Sequence, residues 1–268
     1  MTEKYGVHVL CAAIALTLFA LASEVRAEVV YADDFEQFAA GTDLTAITYT
    51  PATGPTNGAH FATFAGGGSS KTAVDFGGSR AVQLFTPVGA GIEYLGLLPA
   101  SYTGTVLEFS WDTTFQSLNS GMAGLFIRFP SPIFGMQVLL GYFDNGTIAV
   151  FNGAPSPATV VPIGIFDAGV TYRTRMDYDL GNSRYSVFVN GTALLLNEAL
   201  PAYINQTELD RFGFDGNEAM PTSLGNTWFL DNISVAQIPE PSPLWMLGLG
   251  LLLIAYRFSV PARLTMRV

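Results

Sequence analysis

Between Val29 and Val235 the chain never sustains apolar residues at the 3.6-residue helical period. What recurs instead is a series of short β-like runs broken by Gly, Pro, Asn and Asp, and this confines the region to sheet. The runs include 105–111, 124–129, 136–143, 170–178 and 185–189. Alternation is clearest where Tyr172, Thr174, Met176 and Tyr178 are set against Arg173, Arg175 and Asp177, the pattern of a half-buried strand. Asn145-Gly146 and Asn190-Gly191 each sit between apolar runs, and Asn-Gly suits the two positive-φ positions of a type I′ hairpin. The one short helical pattern falls near Tyr203–Leu209. Ala65-Gly-Gly-Gly-Ser-Ser70 reads as a loop, because it lacks the Gly-Lys-Ser or Gly-Lys-Thr ending of a phosphate cradle and no helix pattern follows. About a dozen strands with frequent turns and no helix layer predict an all-β, two-sheet antiparallel β-sandwich of the jelly-roll kind over residues 28–236.

The two ends have a different character. Residues 1–27 combine a short polar start, an apolar run from Val9 to Ala22 and the small-residue site Val25-Arg26-Ala27, the layout of a secretory signal peptide. At the other end, Leu244 to Tyr256 carries no charge before Arg257. As a helix that stretch gives only about 20 Å, against a hydrocarbon core of roughly 30 Å. Snorkelling by Arg257 extends the predicted membrane helix to 244–260, still a short one.

Between these ends, the region from Glu28 to Glu240 holds 20 acidic and 7 basic side chains, a net charge of about −13. Nucleic acid needs a basic footprint, so it is excluded as a partner, and adhesion to anionic lipid is disfavoured. The single cysteine, Cys11, lies in the leader, so a trimmed chain forms no disulfide.

Ile238-Pro239-Glu240-Pro241, the apolar run and then Arg257, Arg263 and Arg267 resemble a PEP-CTERM sorting signal over residues 238–268. The resemblance implies recognition by an exosortase, removal of the tail during export, and residence at the cell surface or in the extracellular matrix. Pro239, Glu240, Pro241 and Arg257 are its marker residues. The prolines keep that segment extended and accessible, and the arginines favour a cytoplasmic C-terminus. The body carries a second resemblance. Tyr31-Ala-Asp-Asp-Phe-Glu36, Tyr185-Ser-Val-Phe-Val-Asn-Gly-Thr192 and Phe229-Leu-Asp-Asn-Ile-Ser-Val235 are similar to strands of concanavalin A-like (laminin-G-like) jelly rolls. That resemblance implies that the first and last strands pair.

It also implies a structural calcium held by Asp34, Glu36 and Asp231, a donor set that suits that ion; acidic edge residues that block strand pairing are the alternative. With His60 the only histidine after the leader, transition-metal sites are not expected. Retaining glucanases of this fold alternate three acids along one strand. Glu208-Leu-Asp210 supplies two, Glu108 and Asp112 are separated by Ser110, and no nucleophile elbow is present, so no catalytic residue is assigned. Trp111, Tyr142, Tyr172 and Trp228 are the candidates for stacking on sugar rings. The expectation is a non-catalytic, exported protein associated with exopolysaccharide through a lectin-like sandwich. A purely structural matrix protein and a jelly-roll glycoside hydrolase are the alternatives.

Overall fold

The computed structural model describes residues 27–45, 47–64, 70–87, 91–103, 105–119, 122–128, 136–152, 159–199, 208–217 and 225–239. The leader and the tail from Glu240 onward, including Pro241, Arg257 and the 244–260 stretch, lie outside them. Residues Glu28–Ile238 form one compact unit. Among the described residues there are 16 strands, and no helix is long and apolar enough to cross a membrane.

The strands form two antiparallel sheets. The first runs in the order β14 (Thr192–Ala199), β13 (Arg184–Val189), β12 (Thr171–Asp179), β7 (Val106–Ser117), β16 (Asn226–Ile238), β5 (Ser79–Thr86) and β4 (Ser70–Phe76), with β1 (Glu28–Asp33) also paired to β16. The second runs β11 (Thr159–Ile165), β10 (Thr147–Asn152), β9 (Met136–Phe143), β8 (Met122–Arg128), β15 (Glu208–Asn217), β6 (Gly91–Thr103), β3 (Ala59–Phe64) and β2 (Thr48–Tyr49). The first and last strands pair, as the jelly-roll resemblance implies.

Burial follows the sequence alternation. Tyr172, Thr174, Met176 and Tyr178 of β12 face inward, and Arg173, Arg175 and Asp177 face outward. Inward aromatics meet across the sandwich: Phe109 on Phe212 with centroids 5.6 Å apart, Trp111 on Phe214 at 5.2 Å and Phe115 on Tyr142 at 4.9 Å. Such pairs add about 0.5–1.5 kcal/mol beyond the area they bury.

Two local expectations change. Glu208 and Leu209 belong to β15, not to a helix, because they pair with Thr103 and Tyr102 of β6; residues 203–207 lie outside the description. Asn190 and Gly191 both take positive φ, 49° and 76°, as a type I′ turn requires. In the β9–β10 hairpin only Gly146 does, with φ 78°, and its N–H bonds Phe143 O at 3.0 Å. That loop is therefore a three-residue connection with glycine in the left-handed position.

β16 changes partner along its length. Its first half pairs with β5 and its second with β1, while β7 runs along its other side throughout. At the handover the β7 register slips between Asp231 and Ser234, and Asn232 takes φ 51°. Such an irregularity re-aims the side chains it carries.

Candidate functional site

The slip in β16 opens a cleft of about 230 Å³ on the outer face of the first sheet, lined by Phe76, Gly77, Ser79, Ala81, Asp112, Thr114, Thr171, Phe229, Asp231 and Asn232. Its floor is an aromatic pair. Phe76 closes β4, Phe229 points outward from β16, and their rings stack 4.1 Å apart at 12°. A second depression, of about 370 Å³, shares Phe76, Thr114 and Phe229 and continues to Gln116, Ala168 and Gly169. The two make one groove crossing the strands, with the aromatic pair in its middle.

One end of the groove is acidic. Asp112 of β7 and Asp231 of β16 are register partners. Asp231 Oδ2 accepts the Ser79 hydroxyl at 2.6 Å, and its Oδ1 accepts the Asn232 N–H at 2.7 Å. The Asn232 amide donates to Asp112 Oδ2 at 2.9 Å, while Asp112 Oδ1 is buried without a partner among the described residues. Burial raises the pKa of Asp231 above the usual carboxylate value; the two hydrogen bonds oppose that rise, and the charges of Asp112 and Glu36 add to it. Thr114 and Thr171 share a hydroxyl–hydroxyl bond of 2.7 Å at the far side.

The structure spreads most of the sequence candidates elsewhere. Asp34 accepts the Glu36 N–H at 3.2 Å, closing a local turn, and Glu36 accepts the Arg80 N–H at 2.7 Å. Glu36 is near enough to Asp231 for its charge to raise the Asp231 pKa, and among the described residues no group of three His, Cys, Asp or Glu side chains is placed to hold a metal ion. Asp231 lines the groove.

The four stacking candidates do not reach solvent. Trp111, Tyr142, Tyr172 and Trp228 are at most 9% exposed, and each points between the sheets. Stacking on a sugar needs an open ring face, so these residues are core. Their outward-facing neighbours were the informative ones: Phe229 next to Trp228, and Asp112 next to Trp111.

Of the four acids weighed for hydrolysis, Asp210 and Glu108 are ion-paired, while Asp112 lines the groove. Arg211 clamps Asp210 with bonds of 2.8 and 3.0 Å, and the Glu208 side chain lies outside the description. Glu108 lies 3.7 Å from Arg175, whose guanidinium also bonds Asp177 and caps the Phe188 ring at 3.9 Å. His60 Nδ1 bonds the Thr48 hydroxyl at 3.0 Å.

A second polar centre is closed. Asp33 is wholly buried, and its Oδ2 accepts the hydroxyls of Tyr49 at 2.6 Å and Tyr94 at 2.7 Å. Tyr94 in turn shares a hydrogen bond with the buried Tyr31. This cluster braces β1 to the second sheet and meets no ligand from outside.

No family model matches the chain, and no curated protein matches it. Solved structures do. A protein described with the endo-acting O-glycanases that prominent members of the human gut microbiota express to initiate mucin breakdown is 10% identical, over 79% of this chain and all of its own, with a TM-score of 0.52. The binding domain of botulinum neurotoxin serotype D/C is 7% identical over 84% of this chain and 52% of its own, with a TM-score of 0.52. A sialidase is 13% identical over 65% of this chain, with a TM-score of 0.51; the chain spans only 16% of that protein's length. Identities this low show a shared fold and nothing narrower.

Proposed function

We propose that this chain is an exported, non-catalytic surface or matrix protein that binds exopolysaccharide in the groove on the outer face of its first sheet. The observation that carries the reading is the groove itself. It places a half-buried stacked aromatic pair, Phe76 and Phe229, beside the hydroxyl and carboxylate groups of Ser79, Asp112, Thr114, Thr171 and Asp231. A sugar presents one apolar ring face and a rim of hydroxyls, and a shallow site with a ring platform and a polar border is its complement. The glycan-directed names among the structures of like fold agree with this reading without establishing it. Ion pairing of Asp210 and of Glu108 leaves those acids poorly placed for hydrolysis, which supports retention without turnover.

Calorimetry of the full-length chain with the exopolysaccharide of its source cells tests this. Saturable binding is expected, and a parallel titration with a chelator reports whether calcium takes part. Phe229→Ala is expected to weaken it about tenfold, the loss of one good ring contact of roughly 1.4 kcal/mol. Release of reducing ends would instead favour the hydrolase alternative.

Export and sorting rest on the sequence. The leader, Pro239-Glu240-Pro241 and the short apolar helix with its basic end are read as an exosortase handle, cut off after transfer. The intact mass of the protein from native cells is expected to end between Pro239 and Ser242. A mass that still includes Leu244–Tyr256 would make the segment a permanent anchor.

A further inference from the structure

We infer that the groove holds an internal stretch of a linear, uncharged polysaccharide, about four pyranose units lying across the strands. This rests on the reading of the groove as a glycan site and specifies which polymer it takes and which part of it. The lining runs from Phe76 on β4 through β5, β16 and β7 to Thr171 on β12, four inter-strand steps. At about 4.8 Å a step that is roughly 19 Å, and an extended chain of pyranose rings advances about one such step per unit. Neither end of that length is walled. Gly77 sits in the β4–β5 turn with φ 63°, and Gly169 precedes β12 with φ 80°. A Cβ placed on either would meet no atom within 4 Å beyond its chain neighbours among the described residues. The positive φ itself disfavours a side chain at both positions. The Gly169 N–H bonds Phe115 O at 2.7 Å, which ties that loop to β7. A polymer can therefore run on past the groove in both directions, as an internal stretch requires and a site for a chain end does not.

Charge sets the class of polymer. The depression that reaches Gly169 is lined by no charged side chain, and no Lys or Arg lines either part of the groove. At the other end Asp112 and Asp231 do not amount to a seat for a cation. Arg173, the β12 register partner of Asp112, stands on the same outer face and offsets the Asp112 charge. A uronate or sulfated chain finds no cation in the lining, meets Asp231, and approaches an acidic protein. Hydroxyl groups suit the walls better. Gln116 is exposed, and its amide offers donors and an acceptor together. The exposed Thr171 hydroxyl, bonded to that of Thr114 at 2.7 Å, adds a second such group. Between them the Phe76–Phe229 pair supplies one platform, so the units on either side of it are held by polar contacts.

The test is calorimetric titration of the full-length chain with ladders of β-1,4-linked glucose, β-1,4-linked mannose and galacturonic acid oligomers, from two units to six. At least one neutral ladder is expected to gain about tenfold or more in affinity between two units and four and to level off beyond, with no detectable binding of the uronate ladder at any length. Borohydride reduction of the end unit is expected to leave the affinity of the six-unit neutral oligomer unchanged. Gln116→Ala is expected to lower that affinity about fivefold, the loss of one hydrogen bond, and its melting curve reports whether the fold is intact. An affinity already complete at two units, or one lost on reduction of the end unit, would overturn the inference. So would a uronate ladder that binds more tightly than both neutral ones, or a folded Gln116→Ala variant that binds like the parent. If no oligomer binds while the source exopolysaccharide still does, the inference falls and the groove reading stands. If Phe229→Ala leaves polysaccharide binding unaltered, it is the groove reading that falls.

Discussion

Trp228→Ala is expected to destabilise the fold by about 3–5 kcal/mol, while Trp228→Phe costs far less. Trp228 lies on β16, the strand gripped by β7, β5 and β1, and is 2% exposed. Its ring stacks on Phe115 at 6.0 Å and 18°. Phe115 in turn touches Tyr142 at 4.9 Å and Phe166 at 5.0 Å, so the alanine variant leaves a void at the end of an aromatic chain that links both sheets. Backbones held in sheet ladders collapse poorly into such a void, so the cavity cost stays high. The indole nitrogen has no acceptor among the described residues. Phenylalanine keeps most of the ring contact and removes no hydrogen bond made among the described residues. Urea denaturation of the full-length chain and both variants measures the difference. An alanine variant within about 1 kcal/mol of the parent would show that the aromatic chain is not a structural spine.

The same residue shows where reading the sequence stopped. Alternation located the strands, since period 2 is a local property, and the strands expected at 136–143, 170–178 and 185–189 are β9, β12 and β13 within about a residue. Which member of a neighbouring pair faces inward is fixed by pairing with strands distant in the chain. Trp228 and Phe229 are equally aromatic, and so were not distinguishable by type; register sends Trp228 inside and leaves Phe229 on the groove floor. Asp33 and Asp34 repeat the case, with Asp33 buried and Asp34 closing a surface turn. Large aromatics were taken as candidate ligand surfaces, yet two eight-stranded sheets enclose enough interior to consume nearly all of them. The β16 slip was out of reach for another reason. It arises where β5 and β1 share one partner, and only the Asp231-Asn232 pair inside an otherwise apolar run hinted at it.

Acidification from pH 7 toward pH 5 is expected to stabilise this fold, against the usual trend for carboxylates paired in the native state. Asp33 is the cause. Burial pushes its pKa up to about 6 from 3.8, and the bonds from Tyr49, Tyr94, Gln37 and the Phe35 N–H only partly oppose that rise. The folded state thus holds the Asp33 proton more tightly than the unfolded chain does. Above about pH 6 both states are ionised, and the fold carries the full penalty, on the order of 3 kcal/mol for a shift of this size. Between about 6 and 3.8 the penalty is progressively relieved as pH falls; by pH 5 roughly 1.4 kcal/mol is recovered, about 3–5 °C in Tm for a domain of this size. Asp177 and Asp231 are raised in the same direction and reinforce the trend. Asp43, lowered by its Thr45 hydrogen bonds, opposes it. Thermal melts of the full-length chain across this range should rise toward pH 5, and Asp33→Asn should flatten the rise whatever its own stability, because an amide has no proton to take up. A parent whose Tm is flat or falls on acidification, or a variant that keeps the parent's slope, would mean that the Asp33 charge is stabilised by its tyrosine hydroxyls more than burial penalises it.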